Sequence, residues 1–163
     1  MRWAGWKIPL LEAAKIGLCA LLVLLLWTQL GQNRQSATPF EQMQAAVTAA
    51  ADLSPVQPGD NQMIKRLYGL DPAEFDGCLL YYPNTNMGAE ELLLVRLRST
   101  AQQDAVSAAV EARLAAQRSS FDGYGVEQME LLSRCVVEIR GNYVLFVVGA
   151  DAQTVRQAFL DAL

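Results

Sequence analysis

The sequence contains no histidine among its 163 residues. This absence excludes Ser-His-Asp and Cys-His catalysis, histidine metal ligation and the commonest general base. An enzyme built on this chain would have to use carboxylate, Tyr, Lys or Cys side chains, and none of these forms a recognisable catalytic arrangement. We therefore expect a protein that is not an enzyme, with no catalytic residue, no metal site and no cofactor.

Cysteine is also scarce. Cys19, Cys78 and Cys135 show no CxxC or CxxH spacing, so neither a zinc site nor a redox motif is indicated. Buried free thiols are one interpretation, because free cysteine behaves as a small hydrophobe. A disulfide between Cys78 and Cys135, which both lie in predicted strands, is the other, because an oxidising exterior would permit it.

Basic residues are few after the N-terminus. Residues 1–35 carry a net charge of +3, whereas the rest of the chain has 9 basic and 16 acidic residues, a net charge of −7. An acidic globular part is repelled by phosphate backbones. We therefore expect no nucleic-acid binding.

Charge is missing altogether from residues 16–30, IGLCALLVLLLWTQL. Extended back to residue 8, this apolar run is long enough to cross about 30 Å of hydrocarbon as a helix. A cleaved signal peptide is the alternative. Residues 27–31 make a poor cleavage site for it, because small residues are missing at the required positions.

The charges around the apolar run predict the orientation. Arg2, Lys7 and Lys15 precede most of it and only Arg34 follows closely, so the N-terminus is predicted to be cytoplasmic and the domain extracytoplasmic. We expect a single-pass protein of the cell membrane that contacts the bilayer through this helix. Its predicted parts are a cytoplasmic or interfacial segment at 1–15, a transmembrane helix at 16–30 (8–30 in the longer version), a linker at 31–39 and the domain at 40–163.

Periodicity predicts an α+β domain after the linker. Two short helices, at 40–53 and 61–68, flank a turn at 54–60 that contains two prolines and a glycine. Four strands are predicted at 77–82, 91–98, 131–140 and 143–148, and a helix follows each pair, in the order ββα-ββα. Gly141-Asn142 is a strong hairpin signal between the last two strands.

The connections suggest a four-stranded antiparallel sheet. The helix between the second and third strands makes those two strands parallel in direction, and the order 2-1-3-4 then keeps every neighbouring pair antiparallel. This order places Cys78 and Cys135 on adjacent strands. The helices are predicted to cover one face. The other face, with Leu92, Leu94 and Val136, is too apolar for water and needs the 40–53 helix or a partner to shield it.

Two groups of acidic residues have structural explanations. Asp71, Glu74 and Asp76 could bind Ca²⁺ through their oxygens, but Asp71 before Pro72, with Glu74 following, already forms a helix cap. Glu90 and Glu91 begin a strand, so their side chains are predicted to point to opposite faces rather than to form an acid/base pair.

Two loops combine aromatic and polar side chains, as binding surfaces often do. Turn formation alone explains their proline, glycine and some asparagine residues. The residues that we select as candidates for binding are Tyr82, Asn84 and Asn86 in the first loop and Phe121, Asp122 and Tyr124 in the second.

Three stretches of the domain carry a family resemblance. LYGLDPAEFDGCLLYYPNTNMGAEELLLVRLRS, EARLAAQRSSFDGY and VVEIRGNYVLFVVGADA follow in this order. From about Phe40 to Leu163 the chain resembles the bacterial family called domain of unknown function 4358. The resemblance implies a short lipoprotein-like or membrane-anchored protein of Gram-positive, clostridia-like bacteria, with no assigned activity. Leu18 precedes Cys19 where a lipobox needs a small residue, which favours the helix as the anchor.

These features predict a non-catalytic interaction or binding module of the cell envelope. Its expected partner is an envelope protein or a wall component. One alternative is an accessory subunit or weak enzyme in envelope polysaccharide modification, using carboxylates or Tyr. Another is a domain that binds a small ligand or Ca²⁺.

Overall fold

The structure is a computed structural model that describes Ala13, residues 15–19, Leu21 and residues 35–163. The described residues before position 22 are helical. Among all described residues, no helix has both the length and the apolar character needed to cross a bilayer. The predicted anchor at 16–30 lies for the most part outside the described residues.

Residues 35–163 form one compact unit with an α+β fold. Within this unit a single antiparallel sheet has five strands in the order β1-β2-β3-β5-β4. The class and the antiparallel pairing agree with the sequence prediction. The strands are β1 (Val56–Gly59), β2 (Gly77–Pro83), β3 (Glu91–Arg96), β4 (Val136–Arg140) and β5 (Tyr143–Val148).

Five α-helices and two 3-10 turns complete the unit of residues 35–163. The second helix begins and ends where predicted, because the Asp60 side chain accepts a hydrogen bond from the Met63 amide (2.8 Å) and Gly69 adopts φ 68° at the C-terminus. The helices are α1 (Phe40–Ala50), α2 (Asn61–Tyr68), α3 (Gln103–Phe121), α4 (Val126–Ser133) and α5 (Ala152–Asp161), and the 3-10 turns are Pro72–Glu74 and Thr100–Gln102.

The predicted four-stranded order 2-1-3-4 is wrong in two respects. First, part of the predicted turn at 54–60 forms β1, an edge strand that pairs with β2 and therefore tolerates Pro58. Second, β5 rather than β2 lies between β3 and β4. All six residues of β5 are buried, which requires a place inside the sheet, whereas the partly exposed β4 suits an edge.

The two cysteines of the domain are not on adjacent strands, contrary to the prediction. β3 and β5 separate β2, which holds Cys78, from β4, and Cys135 precedes β4 rather than lying in it. The predicted strand at 131–140 begins too early, because α4 continues to Ser133. Three strand spacings are about 14 Å, whereas a disulfide needs Cα atoms within about 7 Å. Both thiols are free.

Helices cover both faces of the sheet, so the prediction of one covered face is wrong. The first layer consists of α2, α3 and α4, and the second consists of α1 and α5. On the first face Leu93, Val95, Val144 and Phe146 of the sheet share a core with Ile64, Val106, Val110 and Leu132 of the helices. On the second face Leu92, Leu94, Leu145 and Val147 share a core with Met43, Val47, Val155 and Phe159.

The segment before α1 is hydrogen-bonded to the turn between β4 and β5 and to the end of α5. The Ser36 amide donates to Oδ1 of Asn142 (2.8 Å), and the Thr38 hydroxyl donates to the Ala162 carbonyl (2.7 Å). Asp151 precedes α5 but makes no side-chain cap to it; its carboxylate instead accepts a hydrogen bond from the Asp52 amide. The chain between α1 and β1 is thereby held against the start of α5.

Candidate functional site

The two loops selected from the sequence meet at one cleft of about 290 Å³. It lies where β2 ends, beside the turn between β2 and β3 and beside helices α2 and α3. We call it the β2 cleft. Its lining residues are Gln57, Arg66, Leu67, Tyr82, Pro83, Asn84, Thr85, Asn86, Gly88, Arg113, Gln117, Ser120 and Phe121.

Four of the six candidate binding residues line the β2 cleft, and two do not. Tyr82, Asn84 and Asn86 come from the end of β2 and the following turn, and Phe121 comes from the last residue of α3. Asp122 and Tyr124 follow α3 and point to solvent, although the Tyr124 ring lies 6.1 Å from the Phe121 ring.

Hydrogen bonds to the residues just before the edge strand β1 hold the first loop in place. The backbone amide of Asn84 donates to the Pro55 carbonyl (3.1 Å), and its side-chain amide donates to the Ser54 carbonyl (3.2 Å). Asn84 therefore has a structural role in addition to lining the cleft. The residues before β1, for which the sequence predicted only a turn, therefore fix the position of this loop.

A buried carboxylate lies beneath the cleft. Glu91 is 1% exposed, because as the first residue of β3 it points to the same face as Leu93 and Val95. The Arg113 guanidinium donates to both of its oxygens, with Nη2 2.6 Å from Oε2, and the Gln117 side-chain amide donates to Oε2 (2.8 Å). The Tyr68 hydroxyl donates to Oε1.

The protonation states of Tyr68 and Arg113 in this network are fixed at neutral pH. Burial, together with the charge of Glu91, raises the pKa of Tyr68 well above its ordinary value, so Tyr68 keeps its proton. Burial alone would lower the pKa of Arg113, but the hydrogen bonds and charge of Glu91 raise it above its ordinary value. Both Glu91 oxygens already accept hydrogen bonds, so this carboxylate is suited to positioning Arg113 and Gln117 rather than to taking a proton from a substrate.

Two polar groups of the cleft have unused bonding capacity. The buried Gln117 Oε1 accepts no hydrogen bond from the described part of the chain. Arg66 is exposed and makes no ion pair there; its Nη2 contacts the Met63 sulfur (3.0 Å), a weak acceptor. Sequence reasoning missed both residues. The signal for Gln117 was its position on the buried stripe of α3, four residues after Arg113 and in line with Val106 and Val110.

The acidic cluster near position 71 has the structural role that the capping pattern indicated. Asp71 accepts a hydrogen bond from the Ala73 amide (3.0 Å) and pairs with Lys65 (2.9 Å), and these contacts, the Lys65 hydrogen bond first, lower its pKa. Asp76 lies 3.6 Å from Arg98. Over the described residues, no three His, Cys, Asp or Glu side chains are grouped in a way that could hold a metal ion. Glu90 and Glu91 have separate partners: the Glu90 carboxylate accepts a hydrogen bond from the Ala89 amide (3.0 Å), whereas the Glu91 carboxylate binds Arg113.

A second cleft, of about 380 Å³, lies beside the segments that precede β1 and α5. Its lining includes Asp52, Glu90, Leu131 and Asp151. Asp52 and Asp151 already accept hydrogen bonds from backbone amides. Glu90 and Glu91 also line this cleft, and their carboxylates accept hydrogen bonds from the Ala89 amide and from Arg113. Because all four carboxylates already have partners, the β2 cleft is the better candidate for a binding site.

The comparison with protein families identifies the family of this domain. The model of the family described as Domain of unknown function (DUF4358) matches residues 49–149, which is more than half of the chain. The chain belongs to the DUF4358 family. Comparisons with curated proteins and with solved structures give no match. Every residue that lines the β2 cleft lies in the DUF4358 segment, whereas α5 and most of α1 lie outside it.

The cysteines of the DUF4358 segment are poor nucleophiles. Burial raises the pKa of the Cys78 thiol to about 12. Burial also raises the pKa of Cys135, against a smaller opposing effect of the Arg118 charge. Since the thiolate is the reactive form, neither residue is activated for covalent chemistry.

We expect iodoacetamide to alkylate Cys78 in the folded chain at least roughly tenfold more slowly than in the urea-unfolded chain at about pH 8, because a higher pKa leaves little thiolate. Peptide mass spectrometry over a time course measures both rates. Prior treatment with a reductant should change neither rate, since the thiols are free. Equal rates in the folded and unfolded chains would contradict the burial of this thiol.

Proposed function

We propose that this DUF4358 domain is a non-catalytic binding module of the cell envelope, that residues 16–30 tether it to the membrane, and that the β2 cleft is its ligand site. The observation that carries the proposal is the composition of the cleft. Aromatic, amide, hydroxyl and guanidinium side chains surround it, and none of its lining residues bears a carboxylate. The rest of the domain, by contrast, is acidic.

Such a lining suits binding. Tyr82 and Phe121 offer apolar surface, and the surrounding amides and arginines offer hydrogen-bond donors, which is the mixture typical of small-ligand sites. The volume of about 290 Å³ is close to the lower end for such sites. Binding is favoured over catalysis because the carboxylate beneath the cleft, Glu91, is already saturated with hydrogen bonds.

The envelope location is supported by the sequence alone. The uncharged run at 16–30 and the basic residues before it favour a tethered domain on the outer side of the membrane. A partner in this location would be an envelope protein or a wall component, presented to the cleft at the membrane surface.

Site-specific photocrosslinking tests the proposal. We expect a benzophenone amino acid in place of Thr85, an exposed cleft residue, to give an adduct in irradiated intact cells that sediments with the membrane fraction. The matched control replaces Thr154, which is also exposed but lies on α5, across the sheet from α3. Adding Tyr82→Ala to the Thr85 variant should greatly reduce the adduct.

Gels of the irradiated membranes, probed for the tagged chain, measure adduct yield at each position. Adducts of equal yield at positions 85 and 154 would mean that the cleft has no special part in contact. No adduct at position 85, with the chain present in the membrane fraction, would contradict the ligand site. Recovery of the chain in the medium would contradict the tether.

A further inference from the structure

We infer that the β2 cleft takes a ligand with a free carboxylate and a neighbouring N–H group, which is the chemistry of a peptide carboxyl terminus. This inference rests on the proposal that the cleft is the ligand site, and it names the ligand class. Two groups of the cleft carry it: the guanidinium of Arg66, and the buried amide oxygen of Gln117.

Arg66 supplies the positive charge. The unit of residues 35–163 has nine basic side chains, and six of them form ion pairs with carboxylates. Arg66 is one of the other three and lies at the edge of the cleft. A guanidinium matches a carboxylate with two parallel hydrogen bonds. The cleft lining is free of carboxylates, so it can admit an anion that the acidic surface elsewhere would repel.

The unpaired amide oxygen of Gln117 requires a hydrogen-bond donor on the ligand. Its side-chain nitrogen donates to Glu91 Oε2 (2.8 Å) and to the Ala89 carbonyl (3.4 Å). This fixes the orientation of the amide, because the flipped amide would set its oxygen against a carboxylate. Oε1 is then a buried acceptor that no donor in the described residues reaches, and the residue is 4% exposed. A ligand N–H group would satisfy it.

The pair of requirements narrows the ligand class. Sulfate supplies charge but has no hydrogen to donate at neutral pH, so it would leave Gln117 Oε1 without a partner. A neutral sugar supplies donors but no charge for Arg66. A peptide terminus has both groups a few bonds apart, and the small volume of the cleft suits one or two residues of such a chain.

The test uses the full chain in detergent micelles and three probes: N-acetyl-Ala-Ala, its carboxyl-terminal amide and inorganic sulfate. Titration followed by nuclear magnetic resonance of the Gln117 side-chain amide measures each affinity at the site. We expect the free acid to bind roughly tenfold or more tightly than the amide, since a charge-assisted hydrogen bond is lost in the amide. Sulfate, which has no donor for Gln117 Oε1, should bind more weakly than the acid.

Arg66→Ala should remove the preference for the acid. Lys65→Ala is the matched control, because it removes one positive charge from the same turn of α2, does not line the cleft and pairs instead with Asp71. It should leave the preference intact. Both side chains are exposed, and far-ultraviolet circular dichroism checks that each variant folds.

The outcomes separate this inference from the proposed function. Equal binding of acid and amide, unchanged by Arg66→Ala, would overturn the carboxylate while leaving the cleft as a ligand site. Sulfate binding as tight as that of the acid would overturn the need for an N–H donor. No binding of any probe, with the Thr85 adduct still formed in cells, would overturn the ligand class alone. If the adduct were also missing, the proposed function would fail too.

Discussion

Replacing Arg113 with leucine is expected to lower the free energy of unfolding by about 3–5 kcal/mol, the usual cost of leaving a buried charge without its partner. The Glu91 side chain has no exposed surface, and that of Arg113 is 17% exposed, so solvent cannot take over the lost interaction. Urea denaturation of the full chain in a mild detergent, followed by far-ultraviolet circular dichroism, measures the loss.

Arg118→Leu is the control for Arg113→Leu, since it removes the same charge from the same helix. Arg118 is exposed and donates to the Leu132 carbonyl (3.2 Å), so its loss should cost no more than about 1 kcal/mol. The double variant with Glu91→Leu and Arg113→Leu should recover part of the stability, because it removes the stranded charge. The recovery is incomplete because Tyr68 loses its acceptor and Gln117 loses one of its two acceptors. Equal losses from Arg113→Leu and Arg118→Leu would contradict a buried ion pair.

The elements that the sequence predicted well are those that short-range signals define. Asp60 and Gly69 bound α2, Asp71 begins the 3-10 turn at Pro72–Glu74, and Gly141 with φ 56° closes the hairpin between β4 and β5. Each signal acts within a few residues, through a cap or a backbone conformation. Such signals are visible in a single sequence.

The sheet order could not be read in this way, because it depends on contacts between distant segments. The six residues of β5 are apolar throughout, which is consistent with a central strand, but the hairpin alone does not say which strand lies on its other side. The stretch from Leu131 to Ile139 also has no clear periodicity, so the sequence does not show where α4 ends and β4 begins. Strand β1 was not predicted because Pro58 and Gly59 are residues typical of turns.

The site was predictable only in part, for the same reason. Tyr82, Asn84, Asn86 and Phe121 were found because aromatic and polar residues stand together in short loops. Arg66, Arg113 and Gln117 come from α2 and α3, and only the packing of both helices on the same face of the sheet brings them to the cleft. Arg66 has no local mark of such a role, and the only local signal for Gln117 is its position on the buried stripe of α3.

Phe159→Ala is the second substitution with a large expected effect, a loss of about 3–5 kcal/mol in the free energy of unfolding. Phe159 is fully buried between α5 and the sheet, and its ring meets the Tyr143 ring edge-on, with centroids 6.3 Å apart. Truncation removes this packing and leaves a cavity that the rigid sheet can fill only in part. The same urea denaturation measures the effect.

Val126→Ala is the control for Phe159→Ala, because Val126 is an apolar residue that is 80% exposed, and its truncation should change stability by less than about 0.5 kcal/mol. The comparison tests whether the second face of the sheet is covered, since a Phe159 exposed beside an open sheet would behave like Val126. Leu92, Leu94 and Leu145 share the core with Phe159. A full loss would therefore mean that the DUF4358 segment at 49–149 depends for its stability on α5, which lies beyond the end of that segment.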